Sequence, residues 1–523
     1  AGWTWGRWGA GRGGAGIVKI LFLMRNVGYI RNFDGALHAA LDAGHAVEFA
    51  IELDKRSPNE RPAYERLDEI LSGRDGATKT DVGKPKRGDA DAAALDEVRA
   101  VRDYLRYLDP AFGQSADLKA RARRRIRSRW AGLLDRAESS AVRRRLLDRI
   151  LAFLEAGAPV RAELLEWLRK RAPDLLCVTP LVALGSGQAE YLRAARALGI
   201  PTALCVASWD NLTNKGLIHG EPDGVVVWNE AQKREAVELH GQPAEAVYVT
   251  GAHSYDHWFD WQPSRPRAEF LREAGLDPER PYLLYLCSSP FIAPAEIDFL
   301  EAWLEAVRSA DDPALREACV LIRPHPQNPQ PWERLQRFLD GTVAVFPQAG
   351  DNPVGRRGRE IFYDSLHGSA LVVGINTSAL IEAGILGKAV YTVRHPDHAE
   401  RQEGTVHFHL LQEVEGGLLT LAPDFPAHLA HLAEALRDPA AGAVKARRFV
   451  KGFVRPKGLE SACAPLFAAA LEAVQSAGPR RVPDRAVARL GWRLLARPLR
   501  WLAHREKSAA ALARAEGEAD EPA

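Results

Sequence analysis

No stretch of the chain holds about eighteen consecutive apolar residues, so no helix is expected to cross a membrane. Charge of neither sign dominates: 70 Lys and Arg stand against 68 Asp and Glu, and the net +2 offers no general attraction for nucleic acid. Cysteine is scarce. Cys177, Cys205, Cys287, Cys319 and Cys463 show no CxxC spacing, and most lie in or beside apolar runs, which suits reduced core thiols of a cytosolic protein. Residues 1–16 (AGWTWGRWGAGRGGAG) lack the continuous apolar stretch of a signal peptide and read as a flexible leader. A phosphate-binding glycine loop is also missing: Gly11, Gly13 and Gly16 match GxGxxG but precede the first strand instead of following it.

What remains is an ordinary globular composition, 46% hydrophobic and 26% charged, in 523 residues, enough for two or three domains. Short apolar runs alternate with helix-like segments, the pattern of a parallel sheet buried on both faces. Ile17 to Met24 and Ala46 to Ile51 are expected strands around a helix from Gly35 to Ala43. From residue 54 to 170 the strand signal vanishes and Ala, Leu, Arg and Glu recur with helical period, which predicts a helical insertion. Alternation resumes with strands at Asp174–Thr179, Thr202–Ala207, Gly224–Trp228 and Ala246–Thr250. A Pro- and Arg-containing link (262–267) then marks a domain boundary. The first domain is thus 17–264 and the second 265–477, followed by a tail, 478–523.

In such folds ligands sit at the carboxyl ends of strands, so polar loops that follow apolar runs are the candidate site. Four stand out. Trp209-Asp210-Asn211 through Lys215 follows one strand, although Asp210 and Asn211 would also suit a simple Asx turn. Ser288 and Ser289 follow Tyr282–Cys287. Arg323-Pro-His325-Pro follows Val320–Ile322, its prolines fixing an Arg suited to phosphate oxygens and a His able to donate or act as an acid. The fourth is Val372–Val393 (VVGINTSALIEAGILGKAVYTV), read as strand, polar turn (Asn376, Thr377, Ser378), helix carrying Glu382, and strand. Its turn offers helix-start N–H groups to an anion, and Glu382 sits where it could accept from a sugar diol.

Other features point less far. Asp89-Ala90-Asp91 imitates a metal-binding DxD but no strand precedes it, and the histidines at 395, 398, 407 and 409 fit no standard zinc spacing, so no metal is expected. Residues 119–150 carry twelve basic residues against three acidic ones, with Ile126, Trp130, Leu133 and Leu134 as an apolar stripe. Residues 487–505 interleave Trp and Leu with Arg. The first suits a solvated face of a helical hairpin or contact with anionic lipid or a phosphorylated acceptor, and the second an anionic membrane surface or packing onto the insertion or a partner.

The two sequential α/β halves, the RPHP turn and GINTSALIEAGILGKAVYTV resemble GT-B glycosyltransferases and their relatives, above all CDP-glycerol glycerophosphotransferases, Kdo-type capsule transferases and UDP-N-acetylglucosamine 2-epimerases. The resemblance implies two Rossmann-like domains facing a cleft, with a helical insertion in the first. It implies transfer of a sugar from a nucleotide-activated donor to a surface-glycan or lipid-linked acceptor at the cytoplasmic membrane face, without a cofactor. The same fold also serves phosphotransferases, epimerases and inactive scaffolds. Glu382 would then bind the ribose, Thr377 and Ser378 the donor phosphates, and Arg323 and His325 the pyrophosphate or leaving group, with Ser288, Ser289 and Asn376 beside them. Asp34 and Asp210 are candidates for deprotonating the acceptor, and Trp209, Asn211 and Lys215 would line its side. One departure stands: INTSALIE replaces the glycine-rich, doubly acidic turn of the epimerases.

Overall fold

The computed structural model describes residues 16–52, 60–82, 90–348, 355–480 and 485–501. Nearly all of the expected leader, Asp89, and the tail beyond Trp501 lie outside these. Seven parallel strands form the first sheet: β1 Lys19–Met24, β2 Ala46–Ile51, β3 Ala77–Thr80, β4 Leu175–Thr179, β5 Thr202–Cys205, β6 Gly224–Val227 and β7 Val247–Val249, in the order β3-β2-β1-β4-β5-β6-β7. Six form the second: β8 Tyr282–Leu286, β9 Cys319–Arg323, β10 Val343–Val345, β11 Leu371–Gly374, β12 Val390–Val393 and β13 Leu419–Ala422, in the order β10-β9-β8-β11-β12-β13. All neighbours are parallel; β1, for example, sets Ile20 against Leu175 and Lys19 against Ala46. Every residue of β4 and β8 is buried, as unbroken Leu, Val and Tyr runs require between two helix layers. The architecture is the expected pair of Rossmann-like domains.

Two strands were not expected. β3 reads Ala-Thr-Lys-Thr and is half exposed at the sheet edge, where one hydrogen-bonded neighbour suffices and no apolar pattern is needed. The strandless insertion therefore does not begin at residue 54; the helix Arg61–Gly73 and β3 belong to the first sheet. β13 closes the far edge of the second sheet, with only Leu419 and Ala422 buried.

The helix Cys463–Ala477 differs from expectation in its location. Its Phe467, Leu471 and Val474 pack with Phe22, Phe33 and Val226 in the core of the first domain, although the sequence assigns it to the second. The chain thus crosses between domains twice, near Gly251 and near Val454. There Asp256 accepts from the N–H groups of Cys463 (3.0 Å) and Ala464 (2.7 Å) and pairs with Arg455 at 3.0 Å, so one carboxylate caps the returning helix and ties both crossings. Gly251 has φ +90, and a Cβ there would meet Cys463 Sγ and the Val454 carbonyl, so only glycine fits where the two crossings touch.

The insertion packs around Leu95, Val98, Leu134, Leu151 and Trp492. A buried ionic network fastens it to the first sheet. Arg99 donates to Glu155 and Glu190, both at 2.7 Å, Arg102 reaches Glu155 at 2.6 Å, and His219 bridges Glu155 and Asp103 at 3.0 Å each. Burial alone would lower the His219 pKa, but the two carboxylates outweigh it and raise it. Removing Arg99 would take one cation from each of two buried carboxylates, leaving Glu155 to Arg102 and His219 and Glu190 to Arg193. Arg99→Ala is expected to cost about 3–5 kcal/mol of stability in denaturant unfolding; a loss below about 1 kcal/mol would show that the network is dispensable.

Candidate functional site

The two sheets point their carboxyl ends at each other. On the second domain, β8 runs into Ser288, whose Oγ accepts from the N–H of Asn376 (3.2 Å) and whose own N–H donates to Glu296 (2.8 Å). Asn376 Nδ2 donates to Thr405 Oγ1 at 3.0 Å. Ser288 and Asn376 are buried and hold the loops after β8 and β11 together, which leaves Thr377, half-buried, and Ser378, exposed, as the hydroxyls at the open edge. The Ser289 carbonyl accepts from Ile292 and Ala293 and turns the loop after β8.

β9 delivers Arg323, buried with its guanidinium 4.7 Å from the centre of the Phe362 ring. Two residues on, His325 is half-buried, and its Nδ1 accepts from the N–H of Gln327 at 3.1 Å, which leaves Nε2–H free to donate. Burial and then the charge of Arg31 lower its pKa. Glu382, on the helix Ala379–Ile385, is half-buried and pushed up to about 8 by desolvation, against the opposing pull of Arg31 and Arg323. Its two cations come from different domains.

Across the cleft, the helix Ile30–Asp42 carries Arg31, Asn32 and Asp34. Asn32 Nδ2 donates to the Ala207 carbonyl at 2.7 Å and fixes this helix to the end of β5. Asp34 is ion-paired with Arg66 at 2.7 Å, and the charge of Asp34 also offsets the burial of Arg359, a residue of the second domain. Each domain therefore presents an arginine toward the other's carboxylate: Arg31 toward Glu382 and Arg359 toward Asp34.

The Trp209 loop is held from beneath by the insertion. Arg106, itself buried, donates to the carbonyls of Leu212 (3.0 Å), Thr213 (3.0 Å) and Gly216 (2.7 Å), and Tyr107 donates to that of Lys215 at 2.6 Å. Trp209 is buried, edge-on to His407 of the second domain at 4.6 Å, and so forms part of the contact between domains instead of an open acceptor wall. Asn211 is buried too; its Oδ1 accepts from the N–H of Ala207 at 3.3 Å and shapes the turn. Burial alone would raise the Asp210 pKa, but Lys215, His407 and hydrogen bonds from Ser208 and Asn214 hold it at about 2. His395 and His398 stack on each other at 5.8 Å and meet Phe299 edge-on, whereas His407 faces Trp209 and His409 bonds the Glu403 carbonyl, so the four histidines do not converge on one point. Among the described residues no group of three or more His, Cys, Asp or Glu is arranged to hold a metal ion.

Several residues at this edge escaped the sequence reading. Arg25 and Glu52 directly follow β1 and β2. Glu52 Oε1 accepts from the Gly187 N–H at 3.0 Å, while its Oε2 and Arg25 Nη1 are buried without hydrogen-bond partners among the described residues. Their position immediately after buried strands, the same one that singled out Arg323, was the signal available. Arg31 and Arg359 had none, since a helical arginine looks solvated until the opposite domain is in place.

No family model and no curated protein matches the chain. Similar solved structures include a glycosyltransferase from Rickettsia africae ESF-5, at 9% identity and a TM-score of 0.49, covering 88% of this chain and 99% of that one. UDP-GlcNAc 2-epimerase from Neisseria meningitidis bound to UDP-GlcNAc aligns at 13% identity and 0.48, covering 87% and 99%. The corresponding epimerase of Methanocaldococcus jannaschii aligns at 13% and 0.44, covering 83% and 98%. Glycosyltransferases and UDP-GlcNAc 2-epimerases are thus among the similar structures, but at these identities and TM-scores no residue role passes to this chain. The fold assignment stands on the two parallel sheets.

The state of Glu382 has a measurable signature. With its pKa near 8 in the folded protein against an ordinary 4.5, the unfolded chain releases this proton first, so folding loses stability as pH rises from about 4.5 to about 8. Glu382→Gln escapes that loss. Its melting temperature relative to wild type is expected to climb across this window and level off above it; a difference independent of pH would show an ordinarily titrating carboxyl.

Proposed function

We propose that the cleft binds a nucleotide-activated sugar on the second domain and transfers the sugar to an acceptor held on the first, the acceptor being a surface glycan or glycolipid at the cytoplasmic membrane face. The observation that carries this reading is Glu382, a half-buried carboxyl between arginines of both domains at the carboxyl edge of β11. A nucleotide sugar supplies what such a site can use: a ribose diol to hydrogen-bond with the Glu382 carboxyl, and phosphates to meet Arg323 and Arg31. Thr377 and Ser378 at the open edge add hydroxyl donors to the phosphates, and Ser288, Ser289 and Asn376 set the shape of the edge.

The chemistry is displacement at the anomeric carbon. The acceptor oxygen attacks, the bond to the nucleoside diphosphate breaks, and the developing negative charge meets the two guanidinium groups and the Nε2–H of His325. Two cations already facing the leaving group supply this stabilisation without a cofactor. The acceptor proton passes to a carboxylate of the first domain. Asp210, held at about 2, is a weak proton acceptor, so we assign this role to Asp34 and keep Asp210 with Lys215 as the rigid base of the acceptor side.

A thermal-shift panel of UDP-, dTDP- and CDP-sugars is expected to yield at least one stabilising donor. Glu382→Ala and Arg323→Ala should each weaken its binding at least about tenfold in calorimetry while the protein still melts cooperatively. Unchanged binding in both variants would refute the assignment. Turnover of the donor with no acceptor present would instead indicate epimerase chemistry on the same site.

A further inference from the structure

The basic and apolar surface segments of the sequence become one surface in three dimensions. The helix Ala141–Gly157 from the insertion and the helix Ala486–Leu495 from the tail pack side by side. Their crossing is built from glycine: a Cβ on Gly157 would overlap the Ala488 backbone, and a Cβ on Gly491 would press on the Phe153 ring. Trp492 locks the tail helix down, buried and donating from Nε1 to Asp91 at 2.8 Å. That bond also gives Asp91, half of the DxD, a structural role.

What faces away from the protein is unusual. Val142, Leu146, Ile150 and Phe153 form a stripe at helical spacing on one helix, and Val487, Leu490, Leu494 and Leu495 form another on its neighbour, with exposures from 39% at Phe153 to 75% at Val142. With Leu133 and Trp501 alongside, they account for every exposed large hydrophobic side chain among the described residues except Ile17 and Val444. Between them stand the exposed arginines Arg143, Arg145, Arg149, Arg489, Arg493 and Arg497. The acids of these helices are tied inward: Glu155 is buried, and Asp148, half-buried, pairs with Arg102 at 2.9 Å. The first part of the basic run is consumed internally: Arg129 pairs with Glu97, Arg121 binds the Asn214 carbonyl, and Trp130 and Leu134 are core residues.

We propose that this two-helix face is a docking platform for an anionic lipid bilayer. Aliphatic stripes interleaved with arginine suit the interfacial zone, where apolar side chains enter the acyl boundary and guanidinium groups meet headgroup phosphates. A second copy of the chain fits poorly, because two arginine-rich faces repel. No described helix is long and apolar enough to cross a membrane, so the contact lies in the plane of the surface. The inner side of the same insertion helix carries Glu155, which grips Arg99 and Arg102 of the helix Ala90–Arg106, and Arg106 at the end of that helix sets the Trp209 loop. The bilayer is thereby one helix layer away from the acceptor side of the cleft. This proposal is independent of the transferase chemistry, and its test involves no donor.

The test uses the full chain with vesicles of phosphatidylglycerol and phosphatidylcholine in equal parts, and with phosphatidylcholine alone. Deleting the tail would uncover the Trp492 site and unfold the insertion, so point substitutions at exposed positions are used: Leu146→Glu with Ile150→Glu on one helix, and Leu490→Glu with Leu494→Glu on the other. Wild type is expected to sediment with the anionic vesicles and to be released by salt. Each pair should reduce the bound fraction at limiting lipid about tenfold or more, with an unchanged melting temperature. Failure of the wild type to bind, or equal binding by both variants, would overturn the proposal. So would equal affinity for the two vesicle types, or a concentration-dependent dimer in light scattering that the same substitutions abolish.

Discussion

The arrangement of the two domains depends on one carboxylate. Asp256 caps the helix that returns to the first domain and pairs with Arg455 at the end of the second, so both chain crossings are held at a single point. Gly251 and Val454 touch beside it, the N–H of Ala252 donating to the Val454 carbonyl at 2.8 Å. Trp209, Trp228, Tyr255 and Phe453 then fill an apolar wall between the domains. Only with that wall in place does Arg31 reach the field of Glu382, or Arg359 that of Asp34.

The electrostatics of the cleft show which effect prevails. Two arginines favour the ionised form of Glu382, yet its pKa is raised, so loss of hydration exceeds their attraction in the unliganded protein. At Asp210 the balance reverses, because short-range hydrogen bonds add to Lys215 and His407. Two carboxyl groups of the cleft loops thus carry opposite protonation preferences, one set by loss of hydration and the other by neighbouring cations and hydrogen bonds.

Much of this was legible in the chain because buried parallel strands are written as unbroken apolar runs, and ligand-facing loops follow them. β4, β8 and β11 and the positions of Arg323 and Glu382 could be read in that way. β3 could not, because an edge strand such as Ala-Thr-Lys-Thr carries no buried pattern, and neither could the destination of the helix Cys463–Ala477, since its apolar face would suit either domain. Trp209 and Asn211 have the composition of a ligand loop but are buried; exposure is a tertiary property that residue type does not encode. The same holds for the basic run, where composition marks the segment but only packing separates the arginines that staple the insertion from those that face outward.

The returning helix carries a consequence for synthesis. The first domain's core lacks Phe467, Leu471 and Val474 until residues 463–477 have left the ribosome, whereas the second sheet is complete once β13 has emerged. Chains ordinarily mature from the amino end as each domain leaves the tunnel. Here the order is inverted: the later sheet can consolidate first, and the earlier one waits, its apolar floor open around Phe22 and Phe33, for a helix made after both sheets. Loss of the chain from Cys463 onward would therefore open the core of the first domain.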